Sequence, residues 1–320
     1  MDAVTRMEAD PAFRDDVLAG LAAAIPAIPA RWLYDHRGSE LFEQITDLPE
    51  YYPTRTERAL LERCSPEVVQ IAGTGDVVVE FGSGASSKTP ILLRHLKPSA
   101  YVPIDISGDF LREAASALQA EFPSLPIFPV EADFMRPIVL PEEVRQATKL
   151  GFFPGSTIGN MVARTAVDLL RTMKETLGIG AWLLIGMDRI KGPDVLIRAY
   201  DDSAGITAEF NLNLLHRING ELGGTIPVDA FRHHAVWNDR LSRIEMHLEA
   251  VRDVEFAVAG HGFSFAKGET IHTENSHKYG FRDSRLLLRA AGWGVVEEWT
   301  DPEEQFVLIL AAAEAPRLAP

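Results

Sequence analysis

The chain has 320 residues, enough to bury one large core or two modest ones. Its apolar share of 46% and charged share of 24% are ordinary for a globular enzyme, while a net charge of −15 repels phosphate backbones and anionic membranes. No nucleic acid and no membrane partner is expected, and a single cysteine, Cys64, excludes an internal disulfide and a multi-cysteine zinc site.

The first apolar piece, VLAGLAAAIPAIPA at 17–30, follows acids and is broken by two prolines. It predicts a helix and then a turn rather than a signal segment. No apolar run is long enough to cross a bilayer, and with the lone cysteine this predicts a cytoplasmic protein. From about residue 60, β-rich runs alternate with helical ones, the pattern of a parallel sheet wrapped by helices. DVVVEFG predicts the first strand and KTPILLRHL its helix; YVPIDIS and FLREAASALQAEF predict the second pair. IFPVEADF, KLGFFPGST and AWLLIGMD predict strands three to five. Residues 191–279 differ in character, opening with one helical run, DVLIRAYDDSAGITAEFNLNLLHRI, and continuing with alternating patterns such as RIEMHLEAVRDVEFAV. That segment is too long for a lid and predicts an inserted α+β substrate-binding domain, which the first 55 residues join. The domains expected are 56–190 with 280–320, and 1–55 with 191–279. Near the end, GVVEEWTD and FVLILAAA are separated only by PEEQ. Four residues cannot carry a crossover helix, so the pair must be an antiparallel hairpin. An α/β sheet ending this way resembles the seven-stranded, Rossmann-like methyltransferase fold.

The turn GSGASSKT, residues 82–89, admits three ligands: a nucleoside triphosphate, a dinucleotide or S-adenosylmethionine. Ser87 stands where both the phosphate-loop and the dinucleotide patterns require glycine, and a Cβ there obstructs the wrap around a phosphate. What remains is acid–x–Gly–x–Gly: Glu80, Gly82 and Gly84. An acid, Asp105, ends the second predicted strand where it can accept from ribose hydroxyls. Asp133 and Phe134 end the third, offering an acceptor for an adenine amine and a cover for its ring. Three acids at three successive strand ends favour S-adenosylmethionine. The nine histidines show no HExxH or related spacing, and no metal is expected.

Further stretches carry a narrower resemblance: WLYDHRGSELFEQITDLPEYYPTRTE, PGSTIGN, IRAYDDSAGITAEFN and TENSHKY. Together with EFGSGASSKT, PIDIS and EADF they resemble the histidine-specific methyltransferase family, which trimethylates the α-amine of L-histidine to hercynine in ergothioneine biosynthesis. The resemblance implies S-adenosylmethionine held by Gly82, Lys88, Asp105, Asp133, Phe134 and Gly155, with Tyr34 nearby. It implies L-histidine held by Tyr51, Asn160, Tyr200, Met246, Glu274 and Ser276, with Tyr51 and Asn160 orienting the amine. A monomer is expected. Glu274 and Ser276 are two apart, so an extended segment points both to one face, where they can grip both imidazole nitrogens. Taken singly, these residues read otherwise: tyrosines as packing, Asn160 as a helix cap, Glu274 as an exposed strand residue. Asn275 stands between the gripping pair where the family leads one to expect a small apolar residue, and a related enzyme for another amino acid or small amine is the alternative.

Overall fold

The structure is a computed structural model and describes residues 10–73 and 76–314. It divides into two compact units, Met1–Tyr51 with Pro193–Asn275, and Tyr52–Gly192 with Ser276–Pro320. In chain order the first unit opens with helices α1 (Pro11–Leu21) and α2 (His36–Thr46). The second unit follows with α3 (Tyr52–Ala72), β1 (Val77–Phe81), α4 (Thr89–Leu96), β2 (Ala100–Asp105) and α5 (Gly108–Glu121). It continues with β3 (Val130–Glu131), β4 (Lys149–Phe153), α6 (Ala163–Leu177) and β5 (Trp182–Asp188). Next come α7 (Pro193–Tyr200), α8 (Ile206–Leu222), β6 (Phe231–Asn238), β7 (Arg243–Ala250), β8 (Val254–Val258), β9 (His261–Phe265) and β10 (Thr270–His277). The chain ends with α9 (Phe281–Ala290), β11 (Trp293–Thr300) and β12 (Phe306–Ala313).

The second unit is built on a seven-stranded sheet in the order β11-β12-β5-β4-β1-β2-β3. Its first five strands pair in parallel; β12 runs antiparallel to β11, as the short PEEQ connection requires, and antiparallel to β5 as well. Asp301 fixes that turn by accepting from the Glu303 and Phe306 amides at 3.2 and 2.8 Å. Because successive strand residues point to opposite faces, each apolar run supplies two cores. Val77, Val79, Phe81, Val102, Ile104, Leu183 and Ile185 pack with α6 and α9 residues on one face. Val78, Tyr101, Phe152, Leu184 and Leu308 pack with α3 and α4 residues on the other. Each such side chain removed from water contributes roughly 1.5–3 kcal/mol.

Two expected elements are shorter than their sequences suggested. IFPVEADF forms only the two-residue strand β3 at the sheet edge, with an isolated bridge from Ile127 to Tyr101. Pro129 supplies no N–H for a ladder, so the run cannot pair continuously. The single helical run after Lys191 is two helices. Asp202 accepts from the Ile206 and Thr207 amides at 3.0 and 2.7 Å, and Gly205 has φ of +77°. These bonds cap α8 and force a break that apolar periodicity does not reveal.

In the first unit, β10, β7 and β6 form a three-stranded sheet, and β8 with β9 a hairpin. Strand β7 alternates strictly, burying Ile244, Met246, Leu248 and Ala250. Strand β10 breaks its alternation at Thr273 and Glu274, which are consecutive and both buried. The break returns Glu274 to the buried side, and Ser276, two residues on, is buried as well.

Candidate active site

The glycine turn after β1 owes its shape to backbone conformations that side chains resist. Gly82 and Gly84 have φ of +69° and +49°. A Cβ on Gly82 would stand 3.3 Å from the Phe134 ring, so the predicted glycine and the predicted aromatic do meet. Phe134 is in turn held edge-on by Phe153, with centroids 5.8 Å apart. Asp105 accepts from the Gly84 amide at 2.9 Å and the Ser107 amide at 3.0 Å, which ties the turn to the end of β2. Asp133 accepts from the Met135 amide at 2.9 Å. Glu80 is turned inward, 1% exposed, and accepts from Thr89 Oγ1 at 2.6 Å and from the Tyr101 hydroxyl. Burial pushes its carboxyl up to about 7. Its carboxylate thus joins β1 to β2 and to the start of α4.

Lys88 occupies the N-cap position of α4, and its ammonium is 2.6 Å from Glu57 Oε2. Glu57, on α3, is fully buried and also accepts from the Gly155 amide at 2.9 and 3.1 Å. Gly155 has φ of +78°, and a Cβ there would lie 3.6 Å from the Lys88 ammonium. Two predicted cofactor residues are therefore organised by a third that the sequence reading did not single out. Glu57 falls on the helical stripe Pro53, Leu60, Leu61, Cys64, Val68, all buried. An acid on an apolar stripe is the signal that could have found it.

Tyr34 belongs to the first unit. Its hydroxyl donates to Glu274 Oε1 at 3.1 Å. Tyr34 packs edge-on to Phe42 and Phe210, Phe42 to Tyr51, and Tyr51 to Tyr200 at 6.0 Å. Burial, with the Glu274 carboxylate beside it, pushes the Tyr34 phenol well above its usual range, so it stays a donor. Glu274 is 7% exposed, which removes its reading as an open strand residue. Tyr200 is fixed from behind: Asn211 Nδ2 is 2.9 Å from His233 Nδ1, and His233 Nε2 is 2.8 Å from the Tyr200 carbonyl. An amide N–H can only donate to Nδ1, so His233 carries its proton on Nε2 and donates it to that carbonyl. Met246 is 1% exposed, and its carbonyl accepts from Thr273 Oγ1 at 3.1 Å.

Asn160 and Ser276 belong to the second unit. Asn160 closes the 3-10 turn Thr157–Asn160, and the cap of α6 is Val162, so Asn160 is not a helix N-cap. That turn is pressed on the chain after β10: the Tyr279 hydroxyl donates to the Ile158 carbonyl at 3.2 Å. A Cβ on Gly159 would stand 2.8 Å from the His277 carbonyl oxygen. Ser276 Oγ accepts from Lys278 Nζ at 2.8 Å, and Lys278 is 2.7 Å from Asp188 Oδ2 at the end of β5. Asp188 also takes Lys191 at 2.6 Å and the Tyr52 hydroxyl at 2.6 Å. Burial alone would raise the Asp188 carboxyl, but the two ammonium groups outweigh it and hold it below its usual value. Burial pushes Lys191 down to about 8.

Among the described residues one cluster has metal-ligand chemistry, Glu245, His247 and His272. Arg243 lies 2.6 Å from the Glu245 carboxylate, and Asn238 donates to it at 2.9 Å. The two imidazoles stack with centroids 4.7 Å apart and 21° between planes. Imidazole lone pairs lie in the ring plane, so stacked rings do not converge on one point. The cluster is assigned no ion. No helix of the described residues is long and apolar enough to cross a membrane.

The sheet order with its antiparallel seventh strand, and the glycine turn flanked by Asp105 and Phe134, define the class: an S-adenosylmethionine-dependent methyltransferase fold. A solved methyltransferase of that kind from Clostridium acetobutylicum superimposes with a TM-score of 0.50, covering 88% of this chain and 97% of the other. At 11% identity the likeness speaks for the fold alone. Residues 13–313 match the family described as histidine-specific methyltransferase, SAM-dependent. The chain is 42% identical over 306 residues to the histidine N-alpha-methyltransferase of Mycolicibacterium smegmatis, covering 94% of each. It is 30% identical over 300 residues to ergothioneine biosynthesis protein 1 of Neurospora crassa, across 89% of this chain and 33% of that one. The chain belongs to the histidine-specific, S-adenosylmethionine-dependent methyltransferase family.

Proposed function

We propose that this enzyme methylates the α-amine of L-histidine, up to three times, giving hercynine as the first step of ergothioneine biosynthesis. The observation that carries the reading is Glu274, a buried acid bonded by Tyr34 beside the Tyr51–Tyr200 pair, in a chain 42% identical to a histidine methyltransferase.

The residues of the glycine turn fit the cofactor. Gly82, Gly84 and Gly155 hold conformations, and Gly82 a close approach, that a side chain would spoil. Asp105 would accept from the ribose hydroxyls, Asp133 from the adenine amine, and Phe134 would cover the ring. Lys88, its charge balanced by Glu57, would meet the methionine carboxylate. Bound S-adenosylmethionine supplies an electrophilic methyl on a sulfonium, and the amine lone pair displaces it in line.

The protein's part is orientation. Tyr51 and Tyr200 would hold the substrate carboxylate, and Asn160 would direct the amine. Met246 would line the ring site, and Glu274 and Ser276 would take the two ring nitrogens. Tyr34, expected near the cofactor, would also join this group through its bond to Glu274. Its raised pKa suits a donor and not a general base. The amine sheds a proton before each attack, and water bound by a tyrosine is assigned to take it. We assign cofactor binding to 56–190 with 280–320 and substrate binding to 1–55 with 191–279; residues 1–9, 74–75 and 315–320 of these spans lie outside the described residues. A panel of amino acids assayed for S-adenosylhomocysteine formation tests the reading. Histidine should give the highest kcat/KM; a higher value for tryptophan or another amino acid would replace it with the related-enzyme alternative.

A further inference from the structure

Tyr200 ends α7, and the last carbonyls of a helix have no partner within it. His233 on β6 supplies one, its Nε2 standing 2.8 Å from the Tyr200 carbonyl oxygen. The proton for that bond is assigned by the residue behind the ring. Asn211 is 0% exposed, and its Nδ2 reaches His233 Nδ1 at 2.9 Å and the His247 carbonyl at 3.0 Å. A carbonyl only accepts, so Asn211 must show its N–H side, and both amide protons are then in use. A flipped amide would set oxygen against the His247 carbonyl. His233 therefore keeps its lone pair on Nδ1 and its proton on Nε2. Burial holds the ring below its usual value, helped by His234 and opposed by the Tyr200 carbonyl, Asp201 and Asp202. A second bond pins the same turn: Ser203 Oγ donates to Glu50 Oε1 at 2.7 Å, joining the residue before Tyr51 to the turn that follows Tyr200. Asp202 caps α8 from within that turn. The Tyr51 and Tyr200 rings, 6.0 Å apart and 67° between planes, thus ride on backbone anchored beside each of them. All these residues belong to the first unit.

We infer that His233 is a positioning residue for substrate binding: as a neutral Nε2–H donor it anchors the turn between α7 and α8, and so sets Tyr200 against Tyr51 as a pair able to grip a carboxylate. The inference deepens the proposed function and rests on its assignment of these two tyrosines. Two phenols reach the oxygens of one carboxylate only at a fixed separation, and a helix end without its anchor frays. His233 acts through the Tyr200 backbone and is assigned no contact with substrate or cofactor. Protonating it would set an Nδ1–H against the Asn211 amide, so the anchor works with the ring uncharged.

The test compares His233→Gln with His233→Asn. A glutamine amide can occupy the Nε2 position and still donate to the Tyr200 carbonyl, whereas the shorter asparagine reaches only the Nδ1 position. Calorimetric affinity for L-histidine, with S-adenosylhomocysteine present, should fall about tenfold in His233→Asn, as for a carbonyl left without its donor. KM should rise more than kcat falls. His233→Gln should stay within about threefold of the wild type, and S-adenosylhomocysteine affinity should hold in both. Nitrogen NMR of the wild type should show His233 with one N–H, on Nε2, down to about pH 6. A folded His233→Asn that binds histidine like the wild type would overturn the inference, as would a wild-type His233 protonated on Nδ1. Equal losses in the two variants would overturn it too, since the bulk of the ring and not its N–H would then matter. If His233→Asn does not fold, Ser203→Ala at an exposed position decides. About threefold weaker histidine binding is expected there, and unchanged binding overturns the inference. A wild type that binds S-adenosylhomocysteine but no histidine is a separate result, which fails the substrate assignment itself; in the failure of this inference, wild type and variants bind histidine alike.

Discussion

Glu57 offers the sharpest test of how the cofactor end is built. Its carboxylate is fully buried, 2.6 Å from the Lys88 ammonium, and takes the Gly155 amide on both oxygens. At an effective dielectric constant of about 20, charges 2.6 Å apart attract by roughly 6 kcal/mol before desolvation is counted. Much of that is offset by taking both charges out of water, so the informative quantity is the cost of removing one partner. Glu57→Ala strands a mostly buried ammonium and an amide, and should cost about 3–5 kcal/mol. Glu57→Gln keeps the shape and one acceptor, and should recover about half of that, since a hydrogen bond to a charged group contributes about 1.5–3 kcal/mol. Urea unfolding measures the loss, and hydrogen exchange of the peptide carrying Gly155 localises it. A loss below about 1 kcal/mol for Glu57→Ala, with unchanged exchange at Gly155, would refute the reasoning.

Three further outcomes follow from named geometry. Gly82→Ala puts a side chain at φ +69° and 3.3 Å from the Phe134 ring; with ~1–2 kcal/mol of backbone strain, S-adenosylmethionine affinity should fall about tenfold, and unchanged calorimetry would contradict it. Glu274→Ala should lower kcat/KM for histidine by about 10–150-fold, one charged hydrogen bond, while cofactor affinity holds; equal losses in both would discard its role. Glu80 is protonated more readily in the fold, at about 7, than at its ordinary 4.5. Its stabilising contribution is complete below that ordinary value and is lost as pH rises through about 7. Glu80→Gln should therefore exceed the wild type in stability near pH 8 by up to ~3 kcal/mol and match it near pH 4; urea melts giving the same difference at both would sink this.

Much of the fold was legible because a sheet buried on both faces writes itself as short apolar runs, and because PEEQ is too short for a crossover. Where the sequence misled, a local bond or its absence was responsible. Pro129 shortened β3, and the Asp202 side chain ended one helix and began another. The proposed cofactor residues Gly82, Lys88, Asp105, Phe134 and Gly155 were legible as motif positions, but the mutual support of Lys88 and Gly155 was not, since it runs through Glu57 on a distant helix. The bond of Tyr34 to Glu274 was not legible, because the two are 240 residues apart. The buried position of Glu274 depends on a break in the β10 alternation, which a two-residue period cannot announce.

The central claim, that a sulfonium donor and a histidine-reading set of side chains act together, is tested most directly by mass spectrometry of L-histidine incubated with the protein and S-adenosylmethionine. Products heavier by one, two and then three methyl groups, all on the α-nitrogen, are predicted. Histidine recovered unmodified while the protein still binds the cofactor would contradict the account.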